Sequence, residues 1–285
     1  FWDGALIDFA GQFLNYWGFD LMFAFNPETI SNRLTRGGPL AVVPPGYQFN
    51  LGLFSDNRKA VVFESFVTTY QRPTESVEWN AEASVRWKPR SNFNLSFGPG
   101  YTYEDSQLQW VRKVPDPLMT ATYGTRYVFG RIKQRVLSST LRLNWIFTPR
   151  LSLQLYLQPF LAVGSYGSFK ELARPKATEY NVYGEGSSTI VREGEAYTVD
   201  PDGSGPAAPF SFWNPDFNVN SLRGTAVLRW EYRPGSLLYV VWSQARLDDA
   251  LRPGEASFRR GIHQLFDVQA HNVFLVKLSK WFSFR

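Results

Sequence analysis

His263 and His271 are the chain's two histidines, and Asp248, Asp249 and Asp267 lie near them in sequence. A histidine oriented by an acid can serve as the general base of a serine hydrolase, but no nucleophile signature accompanies this pair. A three-ligand zinc site would have to draw on carboxylates to complete its set. Solvated loop histidines are the simpler account. Asp200, Asp202 and Ser204 with Gly203 resemble part of a calcium loop, where alternating oxygens and a glycine turn wrap a hard cation. The full EF-hand spacing and its closing glutamate are missing, so a plain Asp/Gly turn competes with that weak calcium candidate. No catalytic residue and no cofactor are expected, and the chain reads as a non-enzyme.

A larger set of charges carries more information. Glu64, Glu78, Glu82, Arg86, Glu104, Arg126, Arg142, Arg223, Arg229, Glu231 and Lys277 sit in segments where every second residue is apolar. The clearest runs from Val77 to Glu104. Val77, Trp79, Ala81, Ala83, Val85 and Trp87 alternate with Glu78, Asn80, Glu82, Ser84, Arg86 and Lys88. After Lys88 to Asn92, Phe93, Leu95, Phe97, Pro99, Tyr101 and Tyr103 alternate with Asn94, Ser96, Gly98, Gly100, Thr102 and Glu104. A period of two means strands, and a five-residue turn that sets Trp87 against Phe93 keeps both apolar sets on one side. Arms of about ten residues suit a tilted membrane-crossing strand; a soluble sandwich hairpin would also have one apolar face. On the membrane reading Trp79, Trp87, Phe93, Tyr101, Trp145, Trp230, Phe282 and Phe284 face lipid. The charges then face a lumen, because hydrocarbon solvates no charge.

Composition agrees with that reading. The 285 residues are 17% aromatic with a mean hydropathy of -0.26, and no run of about 18 apolar residues exists to form a spanning helix. A chain half of whose strand residues are polar gives this combination. Absent cysteines exclude a disulfide framework and thiolate metal sites. The net charge is +5 with a pI near 9.3, but no block of basic residues occurs, so nucleic acid is not an expected partner. Phe1-Trp2-Asp3-Gly4 lacks a signal-peptide layout, and the expectation is a mature or truncated chain.

The alternation recurs along the chain. Phe1 to Phe25 reads as two strands around a turn near Asn15 to Gly18, or as one long projecting strand. Tyr47 to Leu53, Val61 to Val67, Leu108 to Trp110, Ala121 to Phe129, Leu137 to Phe147, Leu151 to Leu161, Leu222 to Tyr232, Leu237 to Val241 and Phe274 to Phe284 follow. A small hairpin is expected around Thr189 to Thr198. Short connections at 55–59, 88–92, 148–150 and 233–236 alternate with long ones at 26–45, 165–220 and 247–270, as in barrels with short periplasmic turns and long extracellular loops. About thirteen strands are countable; the even-number preference of bacterial barrels makes the expectation roughly fourteen, with twelve as the alternative. The expected fold is one all-β, up-and-down transmembrane barrel over 1–285, with 165–220 as an extracellular loop.

The last segment, Asn272 to Phe284, resembles the C-terminal signal read by the outer-membrane barrel insertion machinery, although Arg285 follows Phe284 and Lys280 falls on the outward side. Asn32 to Pro39, Leu151 to Phe160, Tyr197 to Gly203, Ser221 to Trp242 and Asn272 to Leu278 resemble the C-terminal barrel of a bacterial outer-membrane family of unknown function. In that family a carbohydrate-binding-module-like domain precedes the barrel, and the expectation is that residues 1–285 correspond to the barrel without that domain. The resemblance implies an outer-membrane location, with outer-membrane lipid and lipopolysaccharide as surroundings, and the handling of glycans at the surface. Two functions remain open: a porin-like channel for small hydrophilic solutes, saccharides among them, or a closed barrel anchoring a surface glycan-binding or glycan-processing partner.

Overall fold

The computed structural model describes residues 4–250 and 258–282. Its strands in order are β1 (Ala5–Gln12), β2 (Gly18–Asn26), β3 (Thr29–Ser31), β4 (Ala41–Val43), β5 (Gly46–Phe54), β6 (Val61–Arg72), β7 (Ser76–Arg90), β8 (Phe93–Pro115) and β9 (Thr125–Thr148). There follow β10 (Leu151–Leu172), β11 (Tyr180–Val182), β12 (Thr189–Glu193), β13 (Ala196–Asp200), β14 (Phe210–Trp213), β15 (Phe217–Arg233), β16 (Ser236–Asp248), helix α1 (Phe258–Asp267) and β17 (His271–Ser279).

Eleven strands form one continuous antiparallel meander, β1-β2-β5-β6-β7-β8-β9-β10-β15-β16-β17, and β11 adds to the upper part of β10. Each main strand pairs with its neighbour along this path. Among the described residues β1 and β17 do not pair with each other, so the sheet is all-β but open. The residues at 13–17, 55–60, 91–92, 149–150 and 234–235 turn the chain at one end. The other end carries 27–45, 116–124, 173–216 and 249–270, together with one short link, 73–75.

Pairing keeps the two faces apart. Arg86 lies opposite Ser96, Ser96 opposite Arg142 and Arg142 opposite Tyr156, while Trp87 lies opposite Leu95, Leu95 opposite Leu143 and Leu143 opposite Leu155. Because side chains alternate, a one-residue slip anywhere would exchange these sets.

The strand count differs from expectation for a local reason. Residues 93–115 are one strand of 23 residues and 125–148 one of 24, where the sequence reads as two strands each. Irregularities between Ser106 and Gln109 and between Trp110 and Arg112 shift the faces and hide the continuity. Merging the two pairs turns thirteen strands into eleven. The first turn is smaller than five residues: β7 continues to Arg90, a bulge follows Trp87, and Phe93 pairs with Arg90. Trp87 pairs with Leu95, yet its ring still meets Phe93 edge-on at 5.3 Å. Phe1 to Phe25 resolves as two strands, with Phe13 N–H donating to the Trp17 carbonyl at 2.7 Å. The long connection begins at 173 and ends at 216, since 165–172 and 217–220 belong to β10 and β15. The expected hairpin at 189–198 gains a third strand as β12-β13-β14. Thr120 to Thr122 form a 3-10 turn where a strand was expected, with Tyr123 at a φ of 58°.

Strands β8, β9 and β10 outrun their neighbours, and their upper ends hold the two buried clusters. One packs Ala41, Leu108, Tyr127, Phe129 and Leu172; Gly38 passes so close to the Tyr127 ring that no side chain would fit there. The other packs Val128 and Phe169 against Val199 and Phe212 of the β12-β14 sheet, so that small sheet covers the upper continuation of the polar face. Between them Arg126 is buried, donating Nε to Asp116 at 2.7 Å and Nη1 to both oxygens of Glu171 at 2.7 and 2.8 Å. Tyr183 donates its hydroxyl to Glu171 at 2.8 Å, and burial pushes the Tyr183 phenol well above its usual range.

Removing one member of a buried, hydrogen-bonded ion set strands the others. Arg126→Met is therefore expected to cost about 3–5 kcal/mol, and Tyr183→Phe about 1–3 kcal/mol, in urea unfolding followed by intrinsic fluorescence. Equal and small losses would show that water reaches the cluster.

Candidate functional site: a charged cleft on the polar face

Small residues on three adjacent strands open a cleft. Ser96, Gly98 and Gly100 on β8 and Ser138 on β9 leave space that longer side chains would fill, and Glu82, Ser84 and Arg86 of β7 and Arg142 and Asn144 of β9 stand around it. Its volume is about 580 Å³. Every one of these residues takes the polar phase of the period-two pattern, so the cleft follows from register rather than from any local motif.

The charges are ordered along the strands. Glu78 lies directly opposite Glu104 toward the end with the long connections, Glu82 comes next, and Arg86 and Arg142 stand lower on either side of Ser96. Facing like charges are unfavourable in a sheet, so the Glu78–Glu104 pair is not there for stability. Glu64 is 3.9 Å from Arg86 and accepts from the Ser84 hydroxyl at 3.4 Å. Both members of that ion pair are about 40% exposed (40% and 42%), so it adds little to folding and leaves both charges available to solutes. The Arg142 guanidinium lies 5.3 Å over the Tyr156 ring. On the same face Arg223 lies one row above Arg142, opposite Gln158, and Arg229 and Lys277 come lower, both opposite Tyr239. Glu231 instead accepts the Gly235 N–H at 2.9 Å, clasping a short turn. Arg126 shares the face but leaves the row: its ion pairs bury it in the upper cluster, not in the cleft.

The opposite face is aromatic at two levels. Trp87, Phe93 and Trp145 stack edge to face at 5.3 and 5.6 Å near the short turns, and Trp230 sits beside Tyr232 at 6.2 Å. Trp79 and Tyr101 lie eight positions higher, roughly 27 Å along the strand. Tyr101 also meets the Phe258 ring of α1. Phe282 is exposed beyond β17 with Lys280 Nζ 4.7 Å over its ring; Phe284 lies outside the described residues. Within this band Arg246, opposite Leu222, is the charged residue on that face among the described positions, and its Nη1 donates to the carbonyl oxygens of Leu265, Phe266 and Val268 at the end of α1; Arg135, opposite Tyr103, and Asp248, opposite Asn220, lie at the upper level.

The candidate chemistry of the loops does not assemble. His263 lies on α1 and His271 opens β17, both exposed, while Asp248 is buried at the end of β16. Asp200 Oδ1 accepts the N–H groups of Asp202 and Gly203 at 3.3 and 2.8 Å, and Asp202 Oδ2 accepts that of Ala207 at 3.0 Å. These carboxylates cap their own turn, as the Asp/Gly reading requires. Among the described residues no three His, Asp or Glu side chains group as a metal site.

Cross-strand neighbours outside any motif, namely Asn94, Ser96, Ser138, Thr140 and Asn144, were missed as site residues, although parity with Arg86 and Arg142 marks them. An open antiparallel sheet with one face rich in charges and the other mostly apolar and aromatic, and a cleft on the charged one, defines the class of this protein. The chain belongs to the family described as Domain of unknown function (DUF5916), whose profile matches residues 6–284. No curated protein and no solved structure matches it.

Above the cleft, the link 73–75 sets Glu75 in a buried position where Oε2 has no hydrogen-bond partner. Burial raises its carboxyl above the ordinary glutamate value, against the pull of Arg72, and burial with Glu75 nearby pushes the Tyr180 phenol up to about 12. A carboxyl whose folded pKa is raised favours folding below its unfolded pKa and loses that contribution as pH rises through the folded value. Glu75→Gln is accordingly expected to raise the urea midpoint at pH 7.5 and to leave it unchanged near pH 4. A midpoint lowered at pH 7.5 alone would mean that the charge is needed.

Proposed function

We propose that this chain forms the wall of a bacterial outer-membrane β-barrel that passes small hydrophilic solutes. One observation carries the proposal: eleven strands share a mostly apolar face between two aromatic levels, where the one charged side chain described, Arg246, is engaged by backbone carbonyls at the end of α1, while the other face carries both signs around a cleft. Water gives no reason to leave Trp87, Phe97, Trp145, Trp230 and Phe274 between 39% and 73% exposed on one side. A bilayer does, and an apolar band about 25 Å tall with aromatic girdles is what barrels present to it. The acidic Glu78, Glu82 and Glu104 above the basic Arg86 and Arg142 would make solutes meet one sign and then the other, which selects against strongly charged species and favours neutral polar ones such as saccharides.

The β12-β14 sheet over the upper polar face supports the second function, a capped barrel serving as an anchor for a glycan-handling partner. Both readings share the membrane wall and differ in whether solute passes.

Vesicles containing brominated lipid test the wall: strong quenching of tryptophan fluorescence is expected, and none would remove the membrane proposal. Planar-bilayer conductance tests the path. Steady conductance is expected, and Arg86→Glu with Arg142→Glu should shift its ion preference toward cations by roughly tenfold. Replacing 184–214 by a short Gly/Ser linker separates the alternatives. Silence that becomes conductance identifies a cap, and silence in both forms favours the anchor.

A further inference from the structure

An odd number of antiparallel strands has a geometric consequence. Eleven strands alternate in direction, so β1 and β17 run the same way, both from the end with long connections toward the short turns. Paired directly, they would make a parallel ladder in an otherwise antiparallel sheet. Among the described residues no strand pairs with the outer hydrogen-bonding edge of either one. All nine residues of β17 are exposed, among them Phe274 at 73% and Val276 at 67%, and on β1 Ile7 and Phe9 are exposed at 68% and 66%. Long apolar edges of this kind are templates for a further strand.

We infer that these two edges receive one additional β-strand, held antiparallel to both. It is about nine residues long to match β17, and it runs from the short-turn end upward, as β2 and β16 do. Its residues are apolar where they join Ile7, Phe9, Phe274, Val276 and Leu278, and small or polar where they join Asp8 and Lys277, because side chains of neighbouring strands share a face. Main-chain ladders on both sides supply the affinity, as in strand addition to exposed edges. A second copy of this chain does not meet the requirement. Inserted in the same sense it offers β1 to β17 only as a parallel pair, and antiparallel β17-to-β17 pairing needs a two-fold axis that turns the copy upside down. That exclusion rests on the membrane reading above; the strand direction rests on the sheet alone.

The cysteine-free chain makes the test clean. The probe is a synthetic peptide with the sequence of residues 237–245, which already pairs antiparallel to β17 from the β16 side. It carries one cysteine, in place either of Leu238, which lies opposite Leu278 in that register, or of Ser243, which lies opposite Val273. The full chain in detergent bears Val273→Cys near the upper end of β17 or Leu278→Cys near the lower end. The expected result is a one-to-one adduct. The Leu238→Cys peptide should link to the Leu278→Cys chain and the Ser243→Cys peptide to the Val273→Cys chain, each at least about tenfold over the crossed combination, since only facing positions approach to disulfide distance. A peptide with proline at alternate positions should not link. No adduct from either Cys variant, or the crossed preference, overturns the inference.

The double variant Ile7→Cys/Phe274→Cys, with both positions on the apolar face and without peptide, supplies the competing outcomes. An intramolecular disulfide would show that β1 and β17 close directly, and a disulfide-linked dimer would show a second copy at the edge; either overturns the inference. Flotation with vesicles reports separately on the membrane reading. Peptide capture without flotation removes the membrane and leaves the strand; flotation without capture does the reverse.

Discussion

The structure depends on a register that holds unbroken through the middle of the wall, its one-residue shifts being confined to the short turns and to the upper extensions of β8, β9 and β10. Between the two edge strands the backbone ladder pairs each main strand with its neighbours on the path, and each pair fixes which side the residues along it face. The same ladder that sets Glu82 opposite Gly100 sets Ala81 opposite Tyr101. Charge separation between the faces is thus a property of hydrogen bonding, with no need for any charge to find a specific partner. This explains why the ion pair on the cleft face, Glu64 with Arg86, can be long and exposed without harm to the fold.

Above the cleft the logic reverses. Where β8, β9 and β10 run past the shorter strands, specific contacts replace alternation. Arg126, Asp116, Glu171 and Tyr183 come from the end of β9, the link before it, β10 and the segment after β11, and they bind those pieces together in a buried position. Irregularities between Gly167 and Lys170 and along β8 turn side chains so that Phe169 lies against Gly130 beneath the β12-β14 sheet. Packing and paired charges hold this region, and it is also where the upper sheet covers the polar face.

This division decided what could be read from the sequence. Alternation made the hairpins, the sidedness of Glu82, Arg86 and Arg142, and the sorting of long and short turns legible, because one strand reports its own faces. The full lengths of β8 and β9 were hidden, since the breaks near Ser106 and Trp110 mimic strand ends. Arg126 looked like another polar-phase charge; its partner Glu171 is 45 residues away and announces itself only when β9 and β10 pair. Helix α1 was missed inside a connection too polar to show strand alternation. Site residues such as Ser138 and Asn94 carry no signal of their own and become a cleft only when strands are laid side by side.

The meander also bears on how the chain is made. Since every main strand pairs with the strand before and after it in sequence, no wall contact waits for a distant segment. Assembly can proceed as a zipper from either edge, each new hairpin templated on the last, and the entropic cost of closing long loops falls mainly on 173–216. That one connection is built as its own three-stranded sheet. It can therefore form after the wall around it, which makes it the part of the molecule most readily exchanged or lengthened without disturbing the order in which the rest comes together.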